Sequence, residues 1–215
     1  MAMSSCLRLR VAGIVLFCGA LLSAAAAAQD AEPAPQSQPA PALVNVVVRT
    51  TLGDIQVALE KEHAPITVNN FLRYVDHKRY DGAVFYRAVK LDPEGKYGLV
   101  QGGLKGDPKR IFKPIKHEAP SATGLSHVSG AISMARAAPG TAAAEFFIVV
   151  GDLVSLDGQP AGDDPGYAVF GHVLEGMDVV RRILDEPRSP TAGEGAMKGQ
   201  MIASPVKILS VRRAD

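Results

Sequence analysis

SMARAAPGTAAAEFFI, residues 133–148, is the stretch whose reading decides the fold. Residues 131–135 (AISMA) have strand composition, a loop of small residues around Pro139-Gly140 follows, and EFFIVV from position 145 reads as a second strand. A loop made of Ala, Gly, Pro and Thr leaves room for another backbone to lie close. Phe146 and Phe147 are neighbours in a strand, so their rings project to opposite faces of the sheet. Two readings follow: a groove that takes an extended peptide and buries one apolar side chain, or an ordinary hairpin with a loose tip.

Working outward, segments 44–49 and 54–60 flank Thr51-Leu52-Gly53-Asp54. The second of them alternates, with Ile55, Val57 and Leu59 on one face, and the two form a hairpin. Pro65 suits the first turn of a helix along which Val68, Phe71, Leu72 and Val75 recur at helical spacing. Further strands are expected over 84–89, 99–101, 130–135, 145–150, 167–174 and 206–212. Met177, Val180, Ile183 and Leu184 mark a second helix, which Pro187 stops. Segments 102–123 (with His117-Glu118), 157–166 and 190–200 read as loops. Eight strands and two helices without internal repeat or βαβ alternation describe a mainly β chain, and closing its sheet removes the exposed edges.

The 215-residue chain is long enough for one sizeable core plus extensions. Arg8 and Arg10 precede a continuous apolar run over 11–22 and an Ala-rich junction over 24–28, the pattern of a secretory signal peptide. The run is short for a membrane span of ~20 residues. Cleavage near Ala28 removes both Cys6 and Cys18, so the mature chain carries no thiol and needs no disulfide in an oxidising compartment. It also removes two of the 23 basic residues against 22 acidic ones, leaving a near-neutral protein. That balance argues against nucleic acid or an anionic membrane surface as partner. Segment 29–42, QDAEPAPQSQPAPA, reads as a disordered Pro/Ala/Gln-rich linker. The folded domain is expected over 43–215.

The central stretch, GAVFYRAV over 82–89, GLVQGG over 98–103 and YAVFGHVLEGMDVVRRI over 167–183 occur in an order that resembles the cyclophilin family of peptidyl-prolyl cis-trans isomerases. The resemblance runs from about Leu43 to the C-terminus. It implies a closed eight-stranded antiparallel barrel with a helix over each open end. It also implies catalysis of rotation about X–Pro bonds in unfolded or newly exported polypeptides, without a cofactor.

Such a catalyst must bind the twisted amide better than the planar one. It needs an apolar seat for the proline ring, a donor for the nitrogen that turns basic as resonance is lost, and groups that fix the flanking peptide. The resemblance assigns Arg87 as the catalytic arginine and Gln101 as the glutamine that orients it and binds substrate. Phe147 is assigned to the floor of the proline pocket and Leu156 to a wall. Ala135, Arg136 and Ala137 match the segment whose main chain pairs with the substrate.

Several positions depart from the family pattern. Gly98-Leu99 stand where Phe-Met is usual, so an aromatic wall is expected to be missing, with Tyr97 as its replacement one position earlier. Glu145 stands for a glutamine close to the arginine, and is expected to pair with Arg87 and to have a lowered pKa. Tyr167 replaces a pocket histidine, Arg136 an asparagine, and Ser155 an aromatic residue.

His63, His77, His117, His127 and His172 show no metal-ligand spacing, so no metal site is expected. Ser126-His127 and Asp157 lack a G-x-S-x-G nucleophile elbow, which argues against a hydrolase. The resulting reading is an exported, periplasmic or secreted monomer acting on proline-containing extended chains. Its rivals are a peptide-binding or chaperone module of the same fold with little isomerase activity, and an interaction protein whose N-terminal run stays as an anchor.

Overall fold

The alternation in the first two segments becomes a hairpin in the computed structural model, which describes residues 43–159 and 163–214. The signal segment and linker expected over 1–42 lie outside these residues, as does part of the 157–166 loop. Strands β1 (Leu43–Thr50) and β2 (Gly53–Glu60) pair so that Val46 lies opposite Val57 and Val48 opposite Ile55. All four side chains are fully buried. The other strands are β3 (Val84–Lys90), β4 (Gly98–Gly103), β5 (Ala131–Met134), β6 (Phe146–Val150), β7 (Val169–Glu175) and β8 (Met201–Arg213). They close in the order β1-β2-β7-β5-β6-β4-β3-β8, with β8 returning to β1 and every neighbouring pair antiparallel.

The barrel interior is organised around Phe146. Its ring meets Phe71, Tyr80 and Phe85 in edge-on contacts with centroids 5.6 to 5.7 Å apart, the geometry that aromatic quadrupoles favour. Phe71 comes from helix α1 (Pro65–Asp76), whose buried face also carries Val68, Leu72, Tyr74 and Val75. A single-turn helix α2 (Pro120–Thr123) follows in the long connection, and α3 (Met177–Asp185) buries Val179, Val180, Ile183 and Leu184. Leu184 abuts the start of β4 at Gly98, while Phe85 abuts its other end at Gly102, next to the cluster that Phe71 joins. The two longer helices therefore cover opposite ends of the barrel.

Two elements differ from the sequence reading. The 102–123 connection contains α2, started by Pro120, which supplies a fixed φ where no N–H is needed. Strand β8 begins at Met201 rather than Val206. It pairs with β3 at Met201 and resumes at Val206, so residues 202–205 loop out of the ladder. Pro205 lies in that bulged stretch, where its missing N–H costs no ladder bond.

The long connection is tied down by charge. Helix α1 has no side-chain cap of its own, and Glu118 supplies one from the loop. Its two oxygens accept from the Ile66 amide at 3.1 Å and from the Thr67 amide and hydroxyl, both at 2.7 Å, which satisfies orphan donors at the positive end of the helix. The loop before β6 is pinned from inside the barrel. Asn70 Nδ2 donates to the Ala143 carbonyl at 2.7 Å, and the Tyr80 hydroxyl to the Ala144 carbonyl at 3.0 Å.

Candidate active site

The site begins with a slip in the β3 ladder. Phe85 pairs with Gly102 but Arg87 with Gln101, and β3 slips against β8 over the same residues. Tyr86 is thus the extra residue of a β-bulge. Strict alternation would send Tyr86 and Arg87 to opposite faces; the bulge turns both outward. Phe85 and Ala88 on either side are fully buried in the barrel. Outward, both Tyr86 and Arg87 line a cleft of about 1000 Å³.

The Arg87 guanidinium is held on two edges. Nε donates to Gln200 Oε1 and Nη1 to Gln101 Oε1, each at 2.8 Å. Burial pulls its pKa below the ordinary arginine value, opposed by the nearby Tyr86 and Tyr167, and it stays a cation at neutral pH. Gln101 in turn donates from Nε2 to the Tyr86 hydroxyl at 2.7 Å, and that hydroxyl donates to Glu145 Oε2 at 2.8 Å. Glu145 Oε1 accepts from the Leu104 amide at 3.0 Å and the Gly106 amide at 3.4 Å. Burial raises the Glu145 pKa, and the hydrogen bonds from Tyr86 and the 104–106 amides offset only part of that. Gly103 makes room for the carboxylate: at its φ of 145°, a Cβ would stand 2.4 Å from Glu145 Oε2.

Phe147 forms the apolar floor. It points away from the barrel core, into a separate cluster with Leu153, Val149 and Val169 against which Leu99, Leu156, Ala135 and Tyr167 pack. Tyr167 meets the Phe147 ring edge-on at 5.5 Å, and the His127 ring stacks parallel to it at 5.7 Å. His127 and Ser133 are both fully buried. Nδ1 of His127 lies 2.5 Å from Asp157 Oδ1 and Nε2 lies 3.0 Å from Ser133 Oγ, while Ser126 donates to the other Asp157 oxygen. This Ser–His–Asp row is sealed from the cleft, so it fixes the floor from behind and presents no nucleophile. Burial lowers the His127 pKa against the pull of Asp157. Burial alone would raise that of Asp157, but hydrogen bonds from Ser126 and His127 bring it below the ordinary value.

Arg136 works within the chain. Its Nη2 donates to the Gly166 carbonyl at 2.6 Å and to Asp164 Oδ1 at 2.8 Å, and the guanidinium covers the Tyr167 ring at 4.7 Å. It closes the 163–167 loop over the floor. The Ala135 amide donates to the Glu145 carbonyl at 2.9 Å and the Ala137 amide to Thr141 Oγ1 at 3.2 Å. Of the three main-chain amides expected to face a peptide, only that of Arg136 makes no hydrogen bond among the described residues.

The cleft brings together Arg87, Gln101, Leu99, Ala135, Arg136, Ala137, Glu145, Phe147, Leu156 and Tyr167, and leaves Tyr97 out. Tyr97 is half exposed and its ring lies across Gly151, so it replaces no wall. Position 98 does not face the cleft either: a Cβ on Gly98 would stand 2.3 Å from the Val89 carbonyl oxygen and 3.2 Å from Leu184. Its lack of a side chain therefore leaves no gap in the cleft. Glu145 does not pair with Arg87, because Tyr86 and Gln101 stand between them, and its pKa is raised instead of lowered. Gln200 was not expected at the site; it lies in a turn-rich segment with no local signal beyond its following the Gly199 turn. Tyr86 was legible only as the residue before Arg87.

Comparison with known proteins identifies the family and the fold. The family model for cyclophilin type peptidyl-prolyl cis-trans isomerases matches residues 45–213. A peptidyl-prolyl cis-trans isomerase of Acinetobacter baylyi is 38% identical over 176 residues, which is 80% of this chain and 87% of that protein. Peptidyl-prolyl cis-trans isomerase B of Escherichia coli is 37% identical over 142 residues, 64% of this chain and 82% of its own. The barrel also superposes on a crystal structure of a Cryptosporidium parvum cyclophilin type isomerase, solved in the presence of the dipeptide Ala-Pro. The TM-score is 0.63 at 21% identity, covering 80% of this chain and 99% of that one.

Proposed function

The chain belongs to the cyclophilin-type peptidyl-prolyl cis-trans isomerases, and from that premise we propose how its own residues turn the X–Pro bond. The barrier, ~18–20 kcal/mol, is the loss of amide resonance. As the amide twists, its nitrogen becomes pyramidal and basic, and a donor aimed there stabilises the twisted state more than the planar one. Arg87 is that donor. With Nε and Nη1 held by glutamine carbonyls, the guanidinium plane is fixed and Nη2 remains to reach into the cleft. Phe147 seats the proline ring, with Leu99, Leu156 and Tyr167 around it. The Arg136 amide pairs with the peptide backbone beside the rotating X–Pro bond. No covalent bond forms or breaks.

The observation that carries this reading is the two-sided grip on Arg87 at the lip of an aromatic-floored cleft. A pure peptide holder has no use for an arginine fixed in that way. The reading extends to an exported bacterial protein: Arg8, Arg10, the apolar run and the Ala-rich junction support delivery to a periplasmic or extracellular space. Its clients there are unfolded or newly translocated chains containing proline, met by a monomer.

Proline-limited refolding of a denatured client tests the reading. Its slow phase should accelerate in proportion to added wild-type protein and stay unchanged with Arg87→Ala. A wild-type protein that leaves the slow phase untouched would remove the proposal.

A further inference from the structure

We infer that Glu145 is a positioning residue that sets the direction of the hydrogen-bond chain by which Arg87 is presented to the cleft. The inference rests on the reading of Arg87 as the catalytic donor. A guanidinium only donates, so Gln101 must turn its carbonyl to Arg87 Nη1, at 2.8 Å. Its amide nitrogen then donates to the Tyr86 oxygen at 2.7 Å. The one Tyr86 proton has to go elsewhere, and Glu145 Oε2 takes it at 2.8 Å. The other carboxylate oxygen faces the Leu104 and Gly106 amides, which also only donate. Position 145 therefore meets donors on both sides, and an ionised carboxylate is the side chain that accepts on both.

An amide at this position cannot satisfy both sides. With its NH₂ towards residues 104–106, donor meets donor. With its NH₂ towards Tyr86, the phenol oxygen accepts from position 145 and turns its own proton to Gln101. Gln101 then rotates its carbonyl to Tyr86 and its NH₂ to Arg87, where donor again meets donor. The first leaves donors facing each other at residues 104–106, and the second, which avoids that, loosens the grip on the guanidinium from the Gln101 side. A protonated carboxyl has the same effect, since its hydroxyl must point at Tyr86. The charged and titratable groups around Glu145 are Arg87 and Tyr86 on β3, Lys105 in the adjoining turn, and Tyr74 and Tyr80 on the barrel side. Of these, Glu145 alone changes charge in mildly acid solution.

The test is steady-state isomerisation of an X–Pro peptide by the full chain and by Glu145→Gln, Tyr86→Phe, the double variant and Arg87→Ala. Glu145→Gln should lower kcat by about tenfold and leave KM within about twofold, the size expected when one hydrogen bond to a charged group is lost. Tyr86→Phe removes the proton that carries the direction, so adding Glu145→Gln to it should cost nothing further. The wild-type kcat should fall on acidification through the Glu145 titration, and the Tyr86→Phe profile should be flat there. A Glu145→Gln variant as fast as wild type, or one that loses the same factor in the Tyr86→Phe background, would overturn the inference while Arg87→Ala still shows its loss. An Arg87→Ala variant with the wild-type rate would overturn the reading of Arg87 itself.

Discussion

The Tyr86 hydroxyl lies 2.8 Å from Glu145 Oε2 and separates that carboxylate from Arg87. The arginine therefore keeps its charge for the substrate, although an acidic side chain lines the same cleft. Glu145 also has a cost in stability with a definite sign. Its folded pKa is raised above the ordinary 4.5 by burial, so the folded state holds the proton more tightly than the unfolded one. Its contribution to stability therefore falls as pH rises through the window above 4.5, and is regained on acidification. The carboxylate is kept at this cost, which is the expected mark of a functional position.

Gln200 should prove as important as Gln101. Gln200→Leu removes the acceptor for Arg87 Nε and leaves a half-buried donor unpaired. Loss of roughly 1.5–3 kcal/mol for a hydrogen bond to a charged group corresponds to kcat about ten to a hundred times lower. The fall should lie in kcat, with KM nearly unchanged, because the arginine acts on the twisted state. Peptide isomerisation kinetics check it, and an unchanged kcat would mean that Gln101 alone suffices.

Gly98→Phe should destabilise the protein and bring no gain in activity. The new side chain would run into the Val89 carbonyl and Leu184 under α3, away from the cleft. Overpacking of this kind costs about 1–3 kcal/mol or more, visible as a lower Tm. Tyr97→Ala, by contrast, should leave the peptide KM within about twofold, since its ring lies on Gly151 outside the cleft. A Gly98→Phe variant with higher activity and normal Tm would restore position 98 to the cleft wall.

Acid should weaken the support behind Phe147. The folded His127 pKa lies below its ordinary 6.5, so the unfolded state binds more protons in that window, and stability is lost as pH falls below 6.5. Asp157 is depressed below its ordinary 3.8, and its contribution is lost as pH falls through that value towards the lower folded one. Asp157→Asn should therefore lower Tm at pH 7 by the equivalent of about 1–3 kcal/mol, the cost of disrupting a buried hydrogen-bonded pair. It should also steepen the fall in Tm between pH 7 and 5, because without the pull of Asp157 the folded His127 pKa drops further below 6.5. Thermal melts of both proteins across that range decide it; an Asp157→Asn profile no steeper than that of the wild type would contradict the assignment.

The strands were legible because their alternation is set by the pleat, and Phe146 and Phe147 diverge as neighbours in a strand must. Closure into a barrel was implied by the family resemblance; the strand number and the absence of βαβ spacing gave only a mainly β chain with edges to protect. What the sequence hid depends on where registers slip. The bulge that puts Tyr86 on the same face as Arg87 follows from ladder pairing with both neighbours, and no local residue preference marks it. The same slip sets Met201 opposite Arg87 and carries Gln200 to the site from a stretch that reads as turn. Pro205 concealed the first part of β8. The pairing expected of Glu145 and Arg87 failed because a tyrosine fills the space between them, a relation that only side-chain geometry reveals. Ser133, His127 and Asp157 are spread over three segments, and only closure of the barrel brings them into a row.

The most direct test of the account is the exchange rate of an Ala-Pro-containing peptide, measured by NMR with the wild type and with Arg87→Ala at equal concentration and verified fold. Removing a charge-assisted contact made mainly in the twisted state should slow catalysed exchange by about a hundredfold, with Tm unchanged or slightly higher. Exchange at the wild-type rate in a normally folded Arg87→Ala protein would contradict it.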